Sequence, residues 1–254
     1  MMIESLQNEK IKNLVRLNTD NRFRKKSGFF VVEGKQENER ALEFNYTPKE
    51  FYICETIFKG EKPNGTVYTV SEKVYEKIAY RGTSEGIIGI FETKEHTITT
   101  YTPEENSTVI IVEGLEKPGN LGAILRSCEA FGIDALVVTN AKADFYNPNV
   151  IRSSVGYFFG MNIFETDNEE LYSFLQQHNF NICTTFMDDN AQELSKQNFN
   201  SKSAVLFGTE HSGLSSFWKE KGKNFLIPMS GTIDSLNLSN AVAICCYESL
   251  RQKK

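Results

Sequence analysis

The sequence predicts an α/β protein whose main sheet is parallel and covered by helices on both faces, with a small α/β domain in front of it. Three observations carry this expectation. Short, wholly apolar runs such as Val109–Val112, Leu136–Val138 and Ala204–Phe207 read as strands buried on both faces. Segments with helical spacing alternate with these runs along the chain, which calls for a layered sheet. Finally, TVIIVEG, LEKPGN, LGAILRSCEAFG and ALVVT follow one another as strand, turn, helix and strand. In a stretch of about thirty residues this is a βαβ unit with a right-handed crossover.

The first domain is assigned to residues 1–98. Ile3, Leu6, Ile11, Leu14 and Leu17 make an amphipathic helix over residues 3 to 20. FRKKSG reads as a basic turn, and Phe29 to Glu33 as a strand. A helix from Gly34 to Phe44, a strand from Phe51, the loop KPNG, the strand VYTVS, a helix from Glu72 to Ala79 and the strand IIGIFE complete the domain. Thr97 to Ser107 is a polar linker.

The second domain is assigned to residues 106–254. After the βαβ unit, with Asn120 as helix cap and Gly132 as terminator, come a turn, short helix and strand in YNPNVIRSSVGYFFGMNIF. A helix near Asn168 to His178 and the strands FNICTTF and SAVLFG follow, then the turn EHSG and a helix from Leu214. Phe225 to Ile227 forms a last strand that Pro228 ends. Gly231 and Asp234 make a polar turn, and Asn237 or Ser239 caps a final helix to about Arg251. Ala241 to Tyr247 is apolar all round, so this helix is expected to be buried on most sides, in the core or against another subunit.

Composition narrows the function. At 254 residues and 40% hydrophobic, the chain can bury a core in one or two domains. It has no bilayer-length apolar run and no signal-peptide pattern, so a soluble, cytoplasmic protein with no membrane partner is expected. Cys54, Cys128, Cys183, Cys245 and Cys246 include no CxxC pair and read as buried reduced thiols rather than a zinc or disulfide framework. The net charge of −5 disfavours nonspecific nucleic-acid binding. Yet Lys10 to Lys26 holds seven cations against one acid, Asp20. That run, including Arg22, Arg24, Lys25 and Lys26, is either a solvated helix face or an RNA-facing patch.

Three clusters could carry chemistry. In NLGAILR, Asn120, Gly122 and Arg126 stand in the first two turns of one helix. In LFGTEHSGLS, Gly208 permits a close backbone approach, Glu210 projects from a turn, and His211 reads as turn decoration. Around Asp234 to Leu238, a strand end, an open turn and a helix start leave main-chain groups exposed for a ligand, with Ser235 and Asn237 beside them. No nucleophile, base and orienter and no paired-histidine metal pattern can be assembled.

The string IPMSGTIDSLNLSNA resembles the third motif of the SpoU, or TrmH-like, RNA ribose 2′-O-methyltransferases of the SPOUT superfamily. NLGAILR and LFGTEHSGLS resemble that family's first and second motifs, and YNPNVIRSSVGYFFGMNIF a further recurring stretch. FFVVEGKQENERAL and RGTSEGIIGIF resemble, more loosely, the family's N-terminal substrate-binding domain, which has the fold of a small RNA-binding ribosomal protein. The resemblance implies that Arg126 is catalytic, with Asn120, Glu210, Ser235 and Asn237 positioning it and the ribose. It implies S-adenosylmethionine held by backbone around Gly208, Ile227, Met229 and Leu236, and a C-terminal trefoil knot, which periodicity does not reveal. It also implies a homodimer formed through the methyltransferase domain, RNA contacts through Arg22, Arg24, Lys25 and Lys26, and ribosomal RNA, 23S above all, favoured over transfer RNA. Whether Arg126 acts as base or as phosphate clamp stays open. Two other readings remain: a noncatalytic RNA-binding or ribosome-assembly protein, and a βαβ nucleotide-binding protein using KPGNLG for phosphates, although no GxGxxG or P-loop is present.

Overall fold

The computed structural model describes residues 2–80, 85–188, 191–209 and 212–254. It divides into two compact units. One takes the chain up to Glu95 together with Asp144–Gly160, the other His96–Ala143 together with Met161–Lys254.

In the first unit β1 (Met2–Ile3) precedes α1 (Glu9–Thr19), whose N-terminus Asn8 caps by accepting from Lys10 N–H. Ile11, Leu14 and Leu17 share the buried face of α1, as their spacing requires. The basic segment expected as a turn is instead a helix, α2 (Asn21–Ser27). Asp20 accepts from Phe23 N–H at its start, and Gly28, at φ 71°, ends it. These caps, not apolar periodicity, specify a helix of this length. Then follow β2 (Phe29–Glu33), α3 (Lys35–Glu43), β3 (Pro48–Ile53), β4 (Val67–Val70), α4 (Glu72–Ile78) and β5 (Ile87–Glu92). The strands form one mixed sheet in the order β1-β4-β3-β5-β2, antiparallel where β5 meets β2 and β3. On one face Val31, Tyr52, Ile88 and Ile90 pack with residues of α1 and α4.

The second unit begins before the expected strand, because Ile98 is buried in its core. Its elements are β6 (Thr108–Glu113), α5 (Pro118–Ala130) and β7 (Ala135–Thr139), then, after an excursion containing α6 (Pro148–Ser153), β8 (Ile163–Thr166) and α7 (Asn168–Gln177). β9 (Asn181–Thr184), β10 (Gln192–Glu193), β11 (Ser203–Phe207), β12 (Lys223–Leu226) and α8 (Leu238–Lys253) complete it. Seven strands pair in parallel in the order β10-β12-β9-β11-β6-β7-β8. Val109, Ile111, Val137 and Leu206 face a core shared with α7 and Trp218. The other face carries α5 and α8, which pack on β7 and β11 and on each other. The helix expected from Leu214 is a single 3-10 turn, Ser216–Trp218, anchored by the fully buried Trp218. The last helix is not covered all round: Val242, Cys245 and Cys246 are buried, whereas Ile244 and Tyr247 are exposed.

The excursion Asp144–Gly160 lies within the range 106–254 yet packs into the first unit. Arg24 Nε donates to Asp144 Oδ2 at 2.7 Å, with the two side chains 3% and 8% exposed. The Tyr146 ring lies 4.4 Å from Phe30, Phe159 meets Tyr46 at 4.9 Å, and Arg40 stacks on Tyr157 at 3.8 Å. Besides packing on one another, these rings meet partners more than a hundred positions earlier, so no local pattern announces the pairing.

Truncating Arg24 should therefore cost far more than truncating its exposed neighbour. Arg24→Ala strands the Asp144 carboxylate and is expected to lower stability by about 3–5 kcal/mol. Arg22→Ala should change it by less than about 0.5 kcal/mol. Equilibrium urea unfolding of both variants reads the difference.

Candidate functional site

Strand order in the second sheet reverses between β6 and β11, and in such sheets ligands bind beyond the carboxyl ends of the strands at that point. The turn after β6 and the loop after β11 flank that point, and the chain after β12 leads to the α8 cap that meets α5. β6 ends in Glu113 and Gly114, at φ 67°, and Gly114 N–H donates to Thr139 O at 2.8 Å. The turn then enters α5, with Lys117 at the N-cap position and Pro118 first in the helix. Proline suits that position because its missing N–H would be unpaired there anyway. Asn120 is thus in the first turn of α5 rather than its cap.

β11 ends in a closed loop. Thr209 and Gly213 exchange N–H···O bonds of 3.1 Å each way, and Ser212 N–H donates to Thr209 Oγ1 at 2.9 Å. A Cβ on Gly208 would stand 1.8 Å from Gly213 C, so only glycine lets the loop cross its own stem. A Cβ on Gly114 would meet Thr209 Cγ2 at 2.8 Å, which places the β6 turn against this loop. Glu210 and His211 lie outside the described residues.

Past β12 the chain runs from half-buried Ile227 and Pro228 through an exposed stretch, Met229–Ser235, to half-buried Leu236. Among the described residues, no backbone–backbone hydrogen bond joins residues 228–236 to the rest of the chain. Their main-chain donors and acceptors are open, beside the exposed apolar side chains of Met229 and Ile233. This is the chemistry that an adenosine with an amino-acid tail would need, namely main-chain pairing and apolar contact.

Asn237 closes the site. Its Oδ1 caps α8 by accepting from Ser239 N–H at 2.9 Å, while its Nδ2 points at Asn120 Oδ1 at 3.5 Å, the outer limit of a hydrogen bond. The structure thereby brings Asn120 and Asn237, 117 positions apart, into contact. Ser235 is exposed in the loop before them. Arg126 is exposed on α5 and makes no hydrogen bond or ion pair among the described residues. Its guanidinium is free to meet a phosphate or a developing oxyanion.

Of the four basic residues assigned to RNA, Arg22, Lys25 and Lys26 are exposed on α2, but Arg24 is buried against Asp144. Residues 22–26 span more than one helical turn, so the four cations cannot share one solvent face. Arg24 is a structural residue, and the other three remain available to a polyanion.

Sequence reasoning gave Glu113 and Asn168 no role. Glu113 is 6% exposed and both of its oxygens accept, from Asn168 Nδ2 at 2.6 Å and from Ser215 N–H at 2.8 Å. The signal was an acid closing an otherwise apolar strand. Metal and thiol chemistry find little purchase: among the described residues no three His, Cys, Asp or Glu side chains cluster as metal ligands. All five cysteines are buried, and burial pushes the Cys183 thiol up to about 11.

Comparison with known proteins bears on this site. The SpoU rRNA Methylase family matches residues 107–247, and an MRM3-like substrate binding domain matches residues 8–89. The chain is 27% identical over 250 residues to the 23S rRNA (guanosine(2553)-2′-O)-methyltransferase RlmP of Bacillus subtilis, covering 96% of this chain and 97% of that one. A crystal structure of an RNA 2′-O ribose methyltransferase is 34% identical, with a TM-score of 0.86 over 100% of this chain and 99% of the other. An AdoMet-bound rRNA methyltransferase from Sinorhizobium meliloti, 24% identical, has the same fold at a TM-score of 0.90, over 99% of this chain and 97% of that one.

Two outcomes test the geometry. Gly208→Ala has no room for its methyl and should lose about 3 kcal/mol, the upper range for an overpacked site. Gly213→Ala, where a Cβ meets nothing within 4 Å, should pay only the left-handed backbone cost of about 1–2 kcal/mol; urea unfolding compares the two. Because a raised pKa leaves little thiolate at pH 8, Cys183 should resist iodoacetamide in the folded protein and react after denaturation, as mass spectrometry of the peptides would reveal.

Proposed function

The chain belongs to the SpoU rRNA Methylase family, and from that premise we propose that it methylates a ribose 2′-hydroxyl of ribosomal RNA using S-adenosylmethionine. Residues 106–254 carry methyl transfer and residues 1–98 capture RNA. 23S ribosomal RNA is favoured over transfer RNA. The observation that carries this reading is the meeting of segments at the strand-order reversal. There, the β6 turn lies against the loop after β11, and the open main chain of residues 228–236 leads directly into the Asn237 that meets Asn120.

In this reading Gly208, Ile227, Met229 and Leu236 hold the cofactor largely through main chain. When bound, S-adenosylmethionine supplies a methyl group already activated by its sulfonium. The protein's remaining task is orientation of the 2′-oxygen and stabilisation of the charge it gains. Arg126 is the catalytic residue. A guanidinium keeps its proton below about pH 12, which favours Arg126 as a clamp on an RNA phosphate that also stabilises the developing alkoxide. Asn120 and Asn237, paired through their amides, orient the ribose edge together with Ser235. Glu210 completes the set assigned on motif grounds. Arg22, Lys25 and Lys26 give α2 an exposed cationic end for RNA phosphates.

Two further features belong to the proposal. Ile244 and Tyr247, the latter edge-on to Phe131 at 5.9 Å, form an apolar face on α8 suited to a second copy of the chain, making a homodimer through this domain. The path from β12 through residues 228–237 to α8, which packs on α5 and β11, is read as the trefoil knot. No helix among the described residues is long and apolar enough to cross a membrane, and a cytoplasmic site of action is proposed.

The test is transfer of labelled methyl from S-adenosylmethionine to RNA of cells lacking the gene, as free RNA and as ribosomal particles. Alkali-resistant label is expected in the ribosomal RNA fraction, and Arg126→Ala should lower the rate by roughly 100-fold or more while RNA remains bound. Cofactor binding with no transfer to any RNA would favour an assembly protein. The Lys25→Ala/Lys26→Ala variant should weaken RNA binding and reduce the slope of log affinity against log salt by roughly 1.4, two single-strand phosphate contacts.

A further inference from the structure

Among the described residues, Glu113 is the one buried carboxylate at the carboxyl ends of the second sheet whose two oxygens are spent on two different segments. Oε1 accepts from Asn168 Nδ2 in the first residue of α7, and Oε2 accepts from the Ser215 N–H that follows the Gly208–Gly213 loop. Its own backbone continues through Gly114, whose Cα faces Thr209 in that loop, into the turn that positions Asn120. Asn168 Oδ1 and Thr139 Oγ1, both buried, find no hydrogen-bond partner among the described residues. The orientation of the Asn168 amide therefore rests on its donation to Glu113. A carboxylate is the side chain of this length that can accept from two donors with separate oxygens; an amide offers one acceptor and one donor.

We propose that Glu113, held by Asn168, is a positioning residue for the methyl-transfer site, fixing the segment Gly213–Ser215 after β11 in register with the turn that carries Asn120. The assignment rests on the functional reading above. Glu113 touches neither substrate nor cofactor in it, and acts through the loop.

The hydrogen-bond polarity supplies the test. Glu113→Gln turns an NH2 toward one of two N–H donors. Asn168→Asp sets a second carboxylate oxygen against the first, where 2.6 Å now separates donor and acceptor. In the Glu113→Gln/Asn168→Asp double variant the pairing is reversed and complete: the new amide at 113 donates to the new carboxylate at 168 and still accepts from Ser215 N–H. Calorimetric binding of S-adenosylhomocysteine, steady-state kinetics in S-adenosylmethionine and thermal melting would be measured on all four proteins. Each single variant is expected to bind S-adenosylhomocysteine about tenfold or more weakly, with KM for S-adenosylmethionine raised in step, because a mispaired buried donor costs that much. The double variant should return to within about threefold of wild type. If the single variants do not fold, Asn168→Ala, which leaves Ser215 N–H paired, takes their place with the same expectation of weakened binding. Single variants that melt lower yet bind S-adenosylhomocysteine like wild type would reduce Glu113 to a structural residue and overturn the assignment, as would a double variant that stays impaired. A wild-type protein that bound no S-adenosylhomocysteine would overturn both this assignment and the reading it rests on, whereas wild-type binding with unaffected single variants would overturn the assignment alone.

Discussion

Everything at the candidate site depends on the reversal of strand order between β6 and β11. Parallel neighbours cannot be joined by hairpins, so each connection must cross a face of the sheet and return. Where the winding changes direction, sheets of this kind bind ligands beyond the carboxyl ends of their strands. The β6 turn and the loop after β11 meet there closely enough for Gly114 to face Thr209 and for Gly208 to run against Gly213. Both contacts demand glycine for want of space, and at Gly114 the positive φ adds a second reason.

Buried polar groups then turn a topological opportunity into a defined geometry. A carboxylate taken out of water is tolerable only when its oxygens are met, and Glu113 meets two segments at once. Asn237 does the corresponding work at the opposite side of the site. One end of its amide caps α8, and the other reaches Asn120 in the first turn of α5. Side chains with two polar ends add directional links to elements that apolar packing already brings together, as α5 and α8 show. The Arg24–Asp144 pair obeys the same rule in the first unit, where it ties α2 to a segment borrowed from the second half of the chain.

The two units meet the demand for specificity in different ways. The methyl-transfer unit is built from parallel strands whose fully apolar sequences carry little positional information, and its polar links supply the missing register. The first unit has a mixed sheet with antiparallel pairs and a dense set of rings, among them Phe30, Tyr46, Tyr146, Phe158 and Phe159. Edge-on and tilted ring contacts of this kind are directional, and together with the Arg24–Asp144 pair they fix the excursion's place.

Sequence by itself determined whatever is encoded within a few residues. The strands TVIIVE, ALVVT and SAVLF were legible because a strand covered on both faces must be apolar at every position. The helix after Asn237 was legible because a cap and a following turn are neighbours in the chain. Motif resemblance identified the family because its chemistry sits in contiguous strings. Tertiary structure alone decided what depends on partners far away in the chain. Four consecutive-looking cations proved to be three exposed ones and a buried Arg24, because Asp144 waits 120 positions later. The helix expected from Leu214 gave way to a 3-10 turn because Trp218 is drawn wholly into the core. Glu113 has no assigned role until Asn168 and Ser215 close on it. Burial and hydrogen-bond partnership are properties of pairs, and the chain supplies the second member of each pair only when it folds.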